Sequence, residues 1–148
     1  MTISLENIIP QDRIVVLEAT TKEEALRELG DLLARTGEVT DPEALLAAIF
    51  ERERIMSTGI GLGIAIPHAK IPSVKDFVVA CRKETVALNL NYMVTKDVHF
   101  LLMIAGPDDQ QERYLQLLAR ITLKLKDGGV RRRLAEAETP AAILAALK

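Results

Sequence analysis

The residues best suited to chemistry lie between Glu51 and Pro72, in the stretch ERERIMSTGIGLGIAIPHAKIP. Gly59, Gly61 and Gly63 alternate with Ile60 and Leu62, and Ile64-Ala65-Ile66 then leads into Pro67-His68. Glycine admits positive φ and lets another group approach its amide closely. Such a run can offer an anion a concave row of N–H donors. Proline fixes the backbone just ahead of the histidine. A neutral imidazole nitrogen is nucleophilic near pH 7, and the N–P bond it forms is labile enough to be passed on. One ring nitrogen must stay free, so the other should be held by a hydrogen bond. Phosphoryl transfer depends on positioning and on stabilising charge on the peripheral oxygens. The stretch therefore reads as a phosphoryl acceptor and donor at His68. Ser57, Thr58, the amides of Gly59 and Ala69, and a charged fork from Arg54 are the candidate stabilisers.

Plainer readings of the same residues stand beside this one. A lone histidine after a short strand is more often structural than chemical. A G-x-G-x-G run occurs wherever turns need glycine. It is neither the dinucleotide fingerprint, which is G-x-G-x-x-G opening a helix, nor the Walker pattern, since no Gly-Lys-Ser/Thr follows. Arg52 and Arg54 fit a solvated helix end.

The flanking elements must hold this stretch in place. Arg13–Glu18 is a short β-branched run and reads as a buried strand. Thr21-Lys22-Glu23-Glu24 has capping-box form, and Leu26, Leu29, Leu32 and Leu33 follow at helical spacing up to Gly37. Asp41-Pro42 opens a second helix with Leu45, Leu46, Ile49 and Phe50 on its buried face. After His68, residues 69–73 read as a loop. Phe77–Arg82 reads as a strand, and Val86, Leu88, Leu90 and Tyr92 alternate as in another. Val98–Ala105 is nearly continuously apolar, which predicts a strand covered on both faces. A helix is predicted from about Asp109 to Lys126, with Tyr114, Leu117, Leu118, Ile121 and Leu125 on one stripe. Gly128-Gly129 breaks it, Val130–Ala137 forms a short helix, and Thr139-Pro140 caps a last one. This interleaving predicts an α/β fold, a mixed sheet with helices on both faces in three layers.

The chain has 148 residues and reads as one domain, 1–148, large enough for a core. A net charge of −2 argues against bulk nucleic-acid binding. A single cysteine, Cys81, and two histidines offer no zinc spacing, so no metal and no cofactor is expected. No apolar run reaches the length of a membrane span, and the N-terminus lacks the form of a signal peptide, so the expected compartment is the cytoplasm.

Glu53, Ile60-Gly61 and Ile64-Ala65-Ile66-Pro67-His68-Ala69 resemble the active-site signature of the phosphotransferase-system enzyme IIA components of fructose/mannitol type and their nitrogen-regulatory relatives. Arg54 and Ser57-Thr58-Gly59 fit the lead-in to that signature, and the order of the elements fits along the whole chain. The resemblance implies that His68 takes phosphate from a histidine phosphocarrier protein, HPr or its nitrogen-branch homologue. It implies onward transfer to a IIB domain, or regulation of a transporter or kinase through the phosphorylation state, and it matches the family's arginine to Arg54. The absence of fused segments points to a stand-alone regulatory protein. One position departs from the pattern. The family's second active-site histidine falls on Tyr114, which carries no charge near neutrality. Tyr114 therefore also supports an alternative, a weakly phosphorylated or non-phosphorylated binding module docking on a transporter, kinase or transcription factor. His99, inside the apolar strand, reads as structural, and Arg131-Arg132-Arg133 as a solvated helix face.

Overall fold

A computed structural model describes residues 14–17, 22–55, 59–61, 64–88 and 98–147. Six strands form one sheet: β1 (Ile14–Leu17), β2 (Gly59–Gly61), β3 (Ile64–Ala65), β4 (His68–Lys70), β5 (Val78–Leu88) and β6 (Val98–Gly106). Among the described residues the helices are α1 (Lys22–Ala34), α2 (Pro42–Ile55), α3 (Gln111–Lys126), α4 (Gly128–Glu136) and α5 (Pro140–Leu147). The sheet runs β1-β5-β6-β3-β2, with β4 also paired to β6. β1 is parallel to β5, β5 antiparallel to β6, and β3 and β4 parallel to β6. The sheet is therefore mixed, as the interleaved elements predict.

The apolar run of β6 divides between two cores. Phe100, Leu102 and Ile104 join Val79 and Cys81 of β5 under α3, α4 and α5. Leu101, Met103 and Ala105 join Val78 and Ala80 under α1 and α2. Period-two alternation on a strand covered on both faces produces this division. The result is the expected three-layer sandwich. Leu26, Leu29 and Leu33 of α1 and Leu45 and Ile49 of α2 are completely buried. Each such side chain contributes roughly 1.5–3 kcal/mol of transfer free energy. Arg82 of β5 is also completely buried and ion-pairs with Glu28 of α1.

Caps set the helix starts. Asp41 accepts from the amide of Ala44 ahead of Pro42, and Thr139 accepts from Ala142 ahead of Pro140. Gly128-Gly129 does more than break a helix. Asp127 accepts from the amides of Gly129 and Val130, and the glycines become the first turn of α4. Two strand expectations also shift. Phe77–Arg82 and Val86–Leu88 fall largely within one long strand, β5, whose register slips between Lys83 and Leu88. Leu90 and Tyr92 lie outside the described residues. The segment after His68 is a strand and not a loop from its start, because β6 supplies a parallel partner that local sequence does not show.

Gly106 ends β6 opposite Lys70 of β4. A Cβ built there lands on the Phe77 ring. Gly106→Ala should destabilise the protein by about 1–3 kcal/mol, the usual cost of overpacking. Urea unfolding measures this, and an unchanged midpoint would contradict the packing described.

Candidate functional site

Residues 64–70 lie along one edge of β6 as two short strands broken at Ile66-Pro67. Ile64 and Ala65 pair with Phe100 and Leu101, and His68 to Lys70 pair with Ile104 to Gly106. Proline cannot donate to a ladder, but its carbonyl still accepts from the amide of Ile104. Ile66 is left with a carbonyl that meets the His68 ring, at 2.9 Å from Nδ1. A carbonyl oxygen only accepts, so Nδ1 carries the proton and donates. In the neutral ring the lone pair is then on Nε2.

The half-buried His68 ring lines an open cleft of about 690 Å³. Ala48, Glu51 and Arg52 of α2 form one wall. Gln111, Tyr114 and Leu118 of α3 form the other, with Ala69 and Lys70 beside the histidine. The site thus sits where helices from opposite faces of the sheet meet at the edge of β4. Tyr114 is buried, with its ring centroid 5.8 Å from that of His68 and 6.5 Å from that of Phe77. It is both a core residue on the α3 stripe and a wall of the cleft.

Burial holds the His68 pKa below its usual value of 6.5. The bond to Ile66 and the charge of Glu53 raise it, while Arg52 and Lys70 lower it further; desolvation is the largest influence. The imidazole is therefore neutral near pH 7 and its Nε2 lone pair is available. Burial raises the Tyr114 pKa, so its phenol stays protonated as a donor.

Several expected site residues land differently. The Ala69 amide is assigned by the register to the ladder with β6, as the bonds Ile104 N–H to Pro67 O and Ile71 N–H to Gly106 O require. The amides of His68 and Lys70 point away from β6. Gly59 and Gly61 form the antiparallel partner of β3 and are not among the described residues that line the cleft. Ser57, Thr58 and the side chain of Arg54 lie outside the described residues. Arg52, read from sequence as a solvated helix end, lines the cleft among the described residues. Helix phase carries that signal: Ala48 and Arg52 are four apart and share a face. His99 is exposed on β6, near the end of that strand opposite Ile104 and the His68 pairing.

The sequence pattern described as "Phosphoenolpyruvate-dependent sugar phosphotransferase system, EIIA 2" matches residues 7–148. The chain belongs to this EIIA family. It is 37% identical to the fructose-specific EIIA component of Haloferax volcanii over 91% of this chain and 88% of that one. It spans only 20% of the fused fructose-specific EIIABC component of Bacillus subtilis. The fold is similar to nitrogen regulatory protein IIA-Ntr from Neisseria meningitidis, with a TM-score of 0.90, 25% identity and coverage of 97% and 99% of the two chains. It is also similar to Escherichia coli enzyme IIA mannitol, solved in complex with phosphorylated enzyme IIB mannitol, with a TM-score of 0.78, 25% identity and coverage of 93% and 94%. The EIIA family thus agrees with the α/β architecture and with a phosphoryl carrier of the phosphotransferase system. Among the described residues, no helix is long and apolar enough to cross a membrane.

The depressed His68 pKa has a definite sign. Between the folded and unfolded values the folded protein binds fewer protons, so this group removes stability as pH falls through that window. Histidine NMR titration should place the His68 midpoint below 6.5, with the proton of the neutral ring on Nδ1. A midpoint above 6.5, or a neutral ring protonated on Nε2, would contradict the geometry.

Proposed function

We propose that this EIIA protein carries a phosphoryl group on Nε2 of His68, taken from a histidine phosphocarrier of HPr type or its nitrogen-branch homologue in the cytoplasm. The observation that supports this most directly is the hydrogen bond from Nδ1 to Ile66. It leaves a single nucleophilic nitrogen on a ring that lines an open cleft. In the exchange, the Nε2 lone pair forms the new N–P bond. The electron pair of the broken N–P bond returns to the carrier's imidazole. No proton moves on His68, because Nδ1–H stays with Ile66. Arg52 lines the same cleft and in this reading stabilises the peripheral oxygens with charge-assisted hydrogen bonds. Tyr114 supplies a neutral donor, and the edge-facing amides of His68 and Lys70 supply two more. Ser57, Thr58, Gly59 and Arg54 remain candidates from the sequence pattern.

The reaction is a transfer between two histidines and needs no metal ion or organic cofactor. The phosphoryl group then passes to a IIB domain, the partner of the similar IIA mannitol. In a regulatory member it would instead report the phosphorylation state to a transporter or kinase. A second reading, a binding module with little phosphorylation, is favoured by one feature, the neutral Tyr114 beside His68.

Incubation with phosphoenolpyruvate, enzyme I and phosphocarrier protein distinguishes the two by intact mass. The carrier reading expects an acid-labile phosphoryl adduct that is lost in His68→Ala and is loaded faster in Tyr114→His. Absence of an adduct on the native chain would contradict the carrier reading and favour the binding module. Adding a IIB domain then separates the branches, since only a sugar-branch member discharges to it.

A further inference from the structure

Lys70 follows His68 by two residues on β4, so both side chains leave the strand on the same face. Both line the cleft. The Lys70 ammonium is held inside the site. It lies 4.3 Å from the centroid of the Tyr114 ring and donates to Gln111 Oε1. The same Tyr114 ring is 5.8 Å from the imidazole. A cation is thus parked one aromatic ring away from the nucleophile.

Its partners there, an aromatic face and an amide oxygen, are both neutral. Lysine is a compact point charge on a flexible four-carbon stem, able to change partners without moving the backbone. A phosphoryl group brings about −1.5 to −2 charge and three acceptor oxygens. It would outcompete an amide oxygen for the ammonium, because hydrogen bonds between ions are roughly twice as strong as neutral ones. Tyr114 cannot provide that charge itself, since a phenol is neutral when protonated and anionic otherwise.

Building on the assignment of His68 as acceptor, we infer that Lys70 is a further functional residue of the transfer. It rests on Tyr114 and Gln111 while the site is empty, then moves onto the phosphoryl oxygens when the group reaches Nε2. Lys70 exchanges no proton in this step. The N–P bond forms and breaks as before, and the ammonium only balances charge. Arg52 approaches from α2 on the other side, so losing Lys70 should weaken the site without abolishing it.

The test uses the full chain with Lys70→Gln and Lys70→Arg, loaded by phosphoenolpyruvate, enzyme I and phosphocarrier protein. Loading is followed by intact mass, and the isolated phospho-protein is titrated by phosphorus NMR. Lys70→Gln should still be phosphorylated on His68 but load about tenfold slower, the loss expected for one charged hydrogen bond. Its phosphoryl group should also titrate at higher pH than in the native protein, because the cation favouring the dianion is gone. Lys70→Arg should restore both. Native-rate loading with an unshifted titration would overturn the inference while leaving the carrier reading intact. Slow loading with an unshifted titration would overturn it too, assigning Lys70 to partner docking. A native chain that takes no phosphoryl group would overturn the carrier reading, and Lys70's role with it.

Discussion

The site depends on one hydrogen bond between residues two apart in sequence, from Nδ1 of His68 to the carbonyl of Ile66. It fixes the tautomer, the ring orientation and the identity of the free nitrogen together. Pro67 makes it possible by interrupting the ladder between β3 and β4 while keeping both against β6. The bond also favours the cationic ring, so on its own it would raise the pKa. Burial works in the opposite direction and prevails. The ring is therefore oriented as if for a cation but kept neutral, which is what a nucleophile requires.

The wider fold serves this arrangement by bringing both helical layers to one edge of the sheet. α2 contributes Arg52 and Glu51, and α3 contributes Tyr114, Gln111 and Leu118. The two apolar clusters on opposite faces of β6 fix where those helices lie. Cations from both sides of the cleft, Arg52 and Lys70, act on the same imidazole, and Glu53 acts against them. Two cations thus stand beside the neutral imidazole, where an incoming dianion would meet them.

Much of this was legible in the sequence where the signal is local. The leucine stripe of α1, the caps at Asp41 and Thr139, and the apolar run of β6 all have short-range causes, and the structure contains them. β4 was not legible because its strand character comes from a parallel partner more than thirty residues away. The glycine run suggested a row of free amides, yet Gly59 and Gly61 pair with β3 just after them in an antiparallel contact. Arg52 joins the cleft through the helix face it shares with Ala48, a phase that the run of charges at the helix end does not single out. Lys70 carries no local mark in the sequence. Its significance comes from Tyr114 and Gln111 on α3, which no local pattern joins to it.

The position of the phosphoryl group on the ring is the most direct test of this account. Nitrogen–phosphorus couplings in the phosphorylated, histidine-labelled protein report it. The account predicts attachment at Nε2 of His68 with the proton retained on Nδ1. Attachment at Nδ1, or at any other residue, would contradict it.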